Sequence, residues 1–172
     1  MNKLILFLAA AILISCGDNK KEESSDIQIG TQERTETPAA TEAPSDDSVT
    51  TVTITGNDQM KFNKDEIRVK SGQKIRLTLR HVGTMDINVM GHNWVLLAQG
   101  ADVAAIGQAA VEAADNDYIP ADMEDQIIVH TKMLGGGGSD TIEFEAPAPG
   151  TYTFMCTFPG HYALMQGKFI VE

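Results

Sequence analysis

Polar and apolar residues alternate strictly along Lys74-Ile75-Arg76-Leu77-Thr78-Leu79-Arg80. A strand sends successive side chains to opposite faces, so this pattern buries one row and wets the other, which no helix can do. The segment reads as a half-buried antiparallel strand. Val49 to Thr55 is β-branched, alternates in the same way, and stops at the turn signal Gly56-Asn57-Asp58. Glu66–Val69, Trp94–Leu97, Gln126–His130, Thr141–Phe144, Thr151–Cys156 and Lys168–Val171 are further short strand candidates. Gly72, Gly83, Gly135 to Gly138, Pro147, Pro149 and Gly150 punctuate them. Ala101 to Ala114 breaks the pattern, being Ala-rich and full of helix formers, and reads as a helix inserted between strands. Seven or eight short strands with one helical flap over residues 49–172 make an all-β, two-sheet β-sandwich.

The preceding residues have a different texture. Lys3 followed by the apolar stretch Leu4 to Ile14 reads as a secretory signal over residues 1–15. It runs into Leu13-Ile14-Ser15-Cys16-Gly17, which resembles the bacterial lipoprotein cleavage box, with Cys16 carrying the lipid anchor. From Asp18 to Ser48 there are nine acidic residues, three basic ones and no aromatic, with Ile27 and Ile29 the only large aliphatics. Such a stretch buries too little surface to offset its ordering entropy, so 16–48 reads as a disordered acidic linker. The expected location is the bacterial periplasm or cell envelope, with the domain tethered to a membrane through lipidated Cys16.

Composition removes several functions. Thirteen Lys+Arg against 24 Asp+Glu give a net charge of -11, which repels nucleic acid. Two cysteines cannot build a disulfide scaffold, and no apolar run reaches the about 18 residues of a transmembrane helix. Gly135 to Gly138 lacks the Lys-Ser/Thr of a phosphate-cradling loop. Asp115 and Asp117 have calcium-loop spacing, but Ile119 and Pro120 stand where a ligand and the turn glycine belong. No hydrolytic machinery and no small-molecule substrate site is evident, and the chain does not read as an enzyme. The domain's acidic excess is spread without a dense block.

Cys156-Thr157-Phe158-Pro159-Gly160-His161 with Met165 gathers a thiolate, an imidazole and a thioether at the end of a strand. Soft sulfur donors with imidazole favour copper over magnesium, calcium or manganese. A trigonal set of two His and one Cys with a weak axial Met is the blue-copper arrangement, and it needs a second histidine. His92, in Met90-Gly91-His92-Asn93-Trp94 just before a strand, could supply it. A zinc site and a Cys–His nucleophilic pair use the same residue types, but structural zinc usually takes more than one Cys, and the pair lacks an orienting group.

At these residues the chain resembles the azurins, bacterial blue-copper proteins of the cupredoxin family, over essentially all of 49–172. The matching segments are Gly56 to Phe62, Asn88 to Leu96, His130-Thr131-Lys132, and Cys156 to His161 with Ala163-Leu164-Met165. The resemblance implies a Greek-key sandwich and one type 1 copper ion held by His92, Cys156 and His161, with Met165 and the Gly91 carbonyl on the two axial sides. It also implies that Asn93 ties the ligand loops together and that the N–H groups of Asn93 and Phe158 approach the sulfur. His161 is expected at the surface, ringed by Met60, Met90, Phe158 and Ala163. Two departures stand out. The disulfide usual near the start of the domain is replaced by Thr50 and Gly72, and the aromatic usual before the Cys ligand is Met155, which is expected to alter packing near the sulfur.

The implied function is single-electron transfer between Cu(I) and Cu(II), with redox partners such as c-type cytochromes, terminal reductases or peroxidases. Copper storage or delivery is the alternative, although it favours a more exposed, exchangeable site. A copper enzyme would need a second cluster, for which only His81 and His130 remain, and both read as non-ligating.

Overall fold

The computed structural model describes residues 49–172; the expected signal at 1–15 and the expected linker at 16–48 lie outside the described residues. In chain order the strands are β1 (Thr50–Asn57), β2 (Lys61–Phe62), β3 (Glu66–Val69), β4 (Lys74–His81), β5 (Val95–Leu97), β6 (Ile127–His130), β7 (Ser139–Glu145), β8 (Gly150–Met155) and β9 (Gln166–Val171). One sheet has the order β2-β1-β4-β7 and the other β3-β9-β8-β5-β6. The successive strands β3 and β4, β6 and β7, and β7 and β8 lie in different sheets, so the chain repeatedly crosses between layers, as a Greek-key sandwich requires. The expected sandwich is therefore present. Its ninth strand, β2, has two residues, too few for any alternation to register.

In β4 the alternation marks burial as expected: Ile75, Leu77 and Leu79 are fully buried between exposed or half-buried neighbours. The strand direction differs from the reading on one side. β4 is antiparallel to β7 but parallel to β1, with Val52 opposite Leu77 and Ile54 opposite Leu79. Alternation reports which face is dry and carries no information about direction. The inward rows of both sheets meet around Trp94, whose ring centroid lies 5.7 Å from that of Phe154 and about as far from Phe144 and Phe169. The indole Nε1 in this apolar centre has no hydrogen-bond partner.

β5 is buried on both faces, which explains why Val95-Leu96-Leu97 does not alternate. Leu96 points into the main core, while Val95 and Leu97 face a second cluster with Ile106, Ile119 and Met155. The flap covers this outer face. It begins with α2 (Val103–Ala109), capped by the Asp102 carboxylate, which accepts from the Ala104 and Ala105 N–H groups. The expected helix over 101–114 is shorter than its alanine content suggests, because it gives way to 3-10 turns at Ala110–Glu112 and Ala114–Asn116. These turns bring the chain back so that Ile119 and Pro120 are buried beside Ile106. A one-turn helix, α1 (Ile87–Met90), had no signal in the sequence beyond Asp86, whose side chain caps it.

The missing disulfide leaves a hydrogen bond in its neighbourhood. The Thr50 hydroxyl donates to Gln73 Oε1 at 3.0 Å, tying β1 to the turn before β4. Gln73 Oε1 also accepts from the Lys70 N–H, so the turn is fastened on both sides. Met155 packs beneath the flap in the second cluster, so the altered residue before Cys156 changes the flap side of the sheet and not the sulfur side.

Candidate metal centre

Three buried donors converge at one end of the sandwich. Cys156, just after β8, has its Sγ 3.6 Å from His161 Nδ1 and 3.9 Å from His92 Nδ1. The three donor atoms lie within 4.8 Å of one another, and among the described residues they are the one such cluster of His, Cys, Asp or Glu. The chain geometry fixes each one. His92 is held by a two-way backbone bridge to Leu134, and its Nε2 donates to the Asn57 carbonyl at 2.9 Å, which turns Nδ1 toward the sulfur. The 156–165 loop is closed by the Cys156 N–H donating to the Met165 carbonyl and the Met165 N–H donating to the His161 carbonyl.

Met165 is fully buried in a small cluster with Cys156, Phe158 and Met133. The Gly91 carbonyl accepts from the Cys156 thiol at 3.9 Å. Both expected axial groups therefore border the site. Two glycines permit this crowding. A Cβ on Gly56 would lie 2.7 Å from His92 Cδ2, and one on Gly91 would lie 2.6 Å from the Ile87 carbonyl oxygen and 2.9 Å from Phe158 Cδ2.

The Asn93 side chain bridges three segments. Its Nδ2 donates to Thr157 Oγ1 at 2.7 Å and to the Asp117 carbonyl at 3.0 Å, and its Oδ1 accepts from the Thr157 N–H at 2.9 Å. The bond to Thr157 is the tie between ligand loops expected of Asn93. The bond to the flap had no signal in the sequence, since it depends on how residues 113–119 turn. Also unsignalled was His81, whose ring stacks on His92 with centroids 4.3 Å apart. Its Nδ1 accepts from the Gly83 N–H and its Nε2 donates to the Met90 carbonyl, so it supports a neighbour and has no nitrogen free for a metal. His130 stands apart from the cluster, with Nδ1 beside the Thr131 carbonyl. His161 departs from the expectation of a surface ligand: it is only 3% exposed, wedged between the rings of Phe158 and His92.

Burial sets the protonation of these groups. It pushes the Cys156 thiol up to about 12, against the opposing effect of hydrogen bonds from the Asn93 and Phe158 N–H groups. It pulls His161 down to about 4, aided by the nearby His92 and His81, and holds His92 below its ordinary value. Without a metal the three donors are thus a neutral thiol and two neutral imidazoles at pH 7. Two imidazole nitrogens, one thiol and one thioether, with no carboxylate among them, form a donor set that suits copper.

Comparison with known proteins agrees with this chemistry. Residues 48–172 match the family of copper binding proteins, plastocyanin/azurin family. The chain is 44% identical to an azurin of Bordetella pertussis over 134 residues, 75% of this chain and 88% of that one. It is 41% identical to outer membrane protein H.8 of Neisseria gonorrhoeae over 119 residues, 67% of this chain and 64% of that one. Among solved structures it is similar to a dithionite-reduced auracyanin of Roseiflexus castenholzii, with 44% identity, a TM-score of 0.64, and coverage of 72% of this chain and 97% of the other.

The protonation states give the metal-free protein a pH window. His161 has its ordinary 6.5 when unfolded and about 4 when folded, so its contribution is complete above pH 6.5 and lost as pH falls toward 4. Cys156 moves the other way, from 9.0 to about 12, so its contribution is complete below pH 9.0 and lost as pH rises toward 12. Denaturation midpoints of the metal-free domain should therefore form a plateau between these limits and fall on both sides. A midpoint that climbs steadily from pH 6.5 down to pH 4 would contradict the assigned burial of His161.

Proposed function

The chain belongs to the plastocyanin/azurin family of copper-binding proteins, and on that premise we propose which of its residues hold the metal and how the protein is used. The protein is a type 1 copper electron carrier. We assign the metal to His92, Cys156 and His161, with Met165 and the Gly91 carbonyl as weak axial neighbours. The observation that carries this assignment is the convergence of three buried donors on one point, with the far nitrogen of His92 already bonded to the Asn57 carbonyl.

When bound, copper supplies a one-electron couple between Cu(I) and Cu(II). The chain supplies everything else. The apolar walls formed by Phe158, Met133 and Met165 exclude water, so little solvent rearranges when the charge changes. The Asn93 and Phe158 N–H groups share the electron density of the sulfur and so influence the potential. The closed 156–165 loop and the Leu134 bridge hold both sides of the site in one geometry for both charge states. A site this enclosed suits a carrier better than a store, which must exchange its metal.

The partner is another redox protein, docking on the apolar surface at the His161 end. Ala163 and Leu164, the latter 65% exposed, lie two and three residues after His161, and Val89 on α1 is 61% exposed. A c-type cytochrome or a terminal reductase or peroxidase would meet this face. We further propose that the mature chain begins at a lipidated Cys16 and that residues 17–48 tether the domain to an envelope membrane. The sequence Leu13-Ile14-Ser15-Cys16-Gly17 supports this, as does the similarity to a protein named for the outer membrane.

Cys156→Ser should abolish the intense thiolate-to-copper absorption while the domain still folds, because it removes the soft donor and little volume. Retention of the band would refute the ligand assignment. Met165→Leu should keep the band and shift the potential, since the axial contact is weak. For the tether, Cys16→Ser should move the protein from the membrane to the soluble fraction of fractionated cells without changing its spectrum. An unchanged distribution would remove the lipid anchor.

A further inference from the structure

The flap joins the copper end through two consecutive residues in an unusual conformation. Asp117 and Tyr118 have φ of 51° and 58°, the left-handed region that bulky side chains avoid. Aspartate tolerates it, but tyrosine does not do so readily, so it persists only where its surroundings impose it. The turn is fastened from within by the Tyr118 N–H to the Ala113 carbonyl, the Ile119 N–H to the Asn116 carbonyl, and the Asn116 amide to the Ile119 carbonyl. It is fastened from outside by the two contacts that reach the metal site. The Asp117 carbonyl accepts from Asn93 Nδ2, and the Tyr118 ring lies 5.3 Å from the Phe158 ring, which in turn lies 4.7 Å from His161.

Both contacts end on a residue beside the sulfur. Asn93 bonds Thr157, the residue after Cys156, and Phe158 packs with Cys156 in the apolar cluster around the sulfur; their N–H groups counter the rise of the thiol's pKa, and one turn of the flap touches both residues. We propose that the left-handed Asp117–Tyr118 turn is a positioning device for the sulfur ligand, with Tyr118 holding Phe158 and the Asp117 carbonyl holding Asn93. The left-handed backbone is what makes this reach available. It directs the Asp117 carbonyl to Asn93 while presenting the next side chain to Phe158. Among the described residues the tyrosine hydroxyl has no hydrogen-bond partner, and its ring is what touches Phe158, so Tyr118 is a positioning residue.

This inference rests on the copper assignment above, and the test separates the two. Tyr118→Gly in the full-length protein removes the ring while suiting the backbone, so the fold should survive; Tyr118→Asn repeats the deletion with the next most tolerant side chain. With the ring gone, Phe158 loosens and its N–H bonds the sulfur less well. Thiolate donation to oxidised copper then strengthens and the potential falls. Against a mediator of fixed potential, reduction should become about three- to tenfold less favourable, where tenfold is about 59 mV for one electron. In the metal-free protein, amide hydrogen exchange at Phe158 should quicken by about tenfold. Tyr118→Phe should restore both readings. A Tyr118→Gly protein that melts earlier yet keeps the wild-type potential and Phe158 exchange rate would reduce the turn to a structural element and overturn the proposal. If the wild-type protein shows no thiolate-to-copper band, the copper assignment falls. The metal-free exchange rates then still decide for or against the turn.

Discussion

Three polypeptide segments that are distant in sequence meet at the side-chain amide of Asn93. It is bonded to the residue after Cys156, it follows His92 directly, and it reaches the flap at Asp117. All of its hydrogen-bonding atoms are used in a buried setting, where an unmade bond costs about 1–3 kcal/mol. The amide thus has one satisfied arrangement, and that arrangement sets the two ligand loops at a fixed separation. Replacing it with an apolar residue would leave the Thr157 N–H and the Asp117 carbonyl without their partner. The sandwich brings the loops to the same end, and this amide fixes their spacing.

Dryness is the second condition, and the same apolar side chains supply it. The main core beneath Trp94 holds the sheets, the cluster beneath the flap seals the outer face of β5, and a third cluster encloses the sulfur. Enclosure keeps the thiol protonated and the imidazoles neutral when no metal is present. A cage of neutral donors holds no buried charge to force it apart when no metal is present. To hold copper, Cys156 would have to give up its thiol proton, while its sulfur and the two imidazoles already face one another.

Much of this was legible in the sequence, and the rest had identifiable reasons for being hidden. Alternation in Lys74–Arg80 announced a strand with one dry face, but not that β1 lies parallel beside it, because direction depends on a crossing between sheets. The alanines of 101–114 announced a helix, but its early end depends on burying Ile119 under the flap. The spacing from Cys156 to His161 to Met165 marked three site residues, since they share one loop. His92 was a candidate because a second histidine was needed and it stands just before a strand, but only the family resemblance selected it, because it sits 64 residues before Cys156 in the chain. His81 read as non-ligating, which its two bonded nitrogens bear out, but its stacking on His92 had no signal, since it follows from β4 ending where the 90–92 segment passes. The near-complete burial of His161 was likewise invisible, being a matter of where the Phe158 ring lies.

The central claim is that the protein, and not the metal, sets the geometry of the site. Crystal structures of one preparation, metal-free and copper-loaded, test it most directly. The donor atoms of His92, Cys156 and His161 should superpose within about 0.5 Å, the tolerance expected of a preorganised site. Rotation of either imidazole out of the site, or separation of the Cys156 and His161 donors in the metal-free form, would show that copper assembles the centre and would contradict the account.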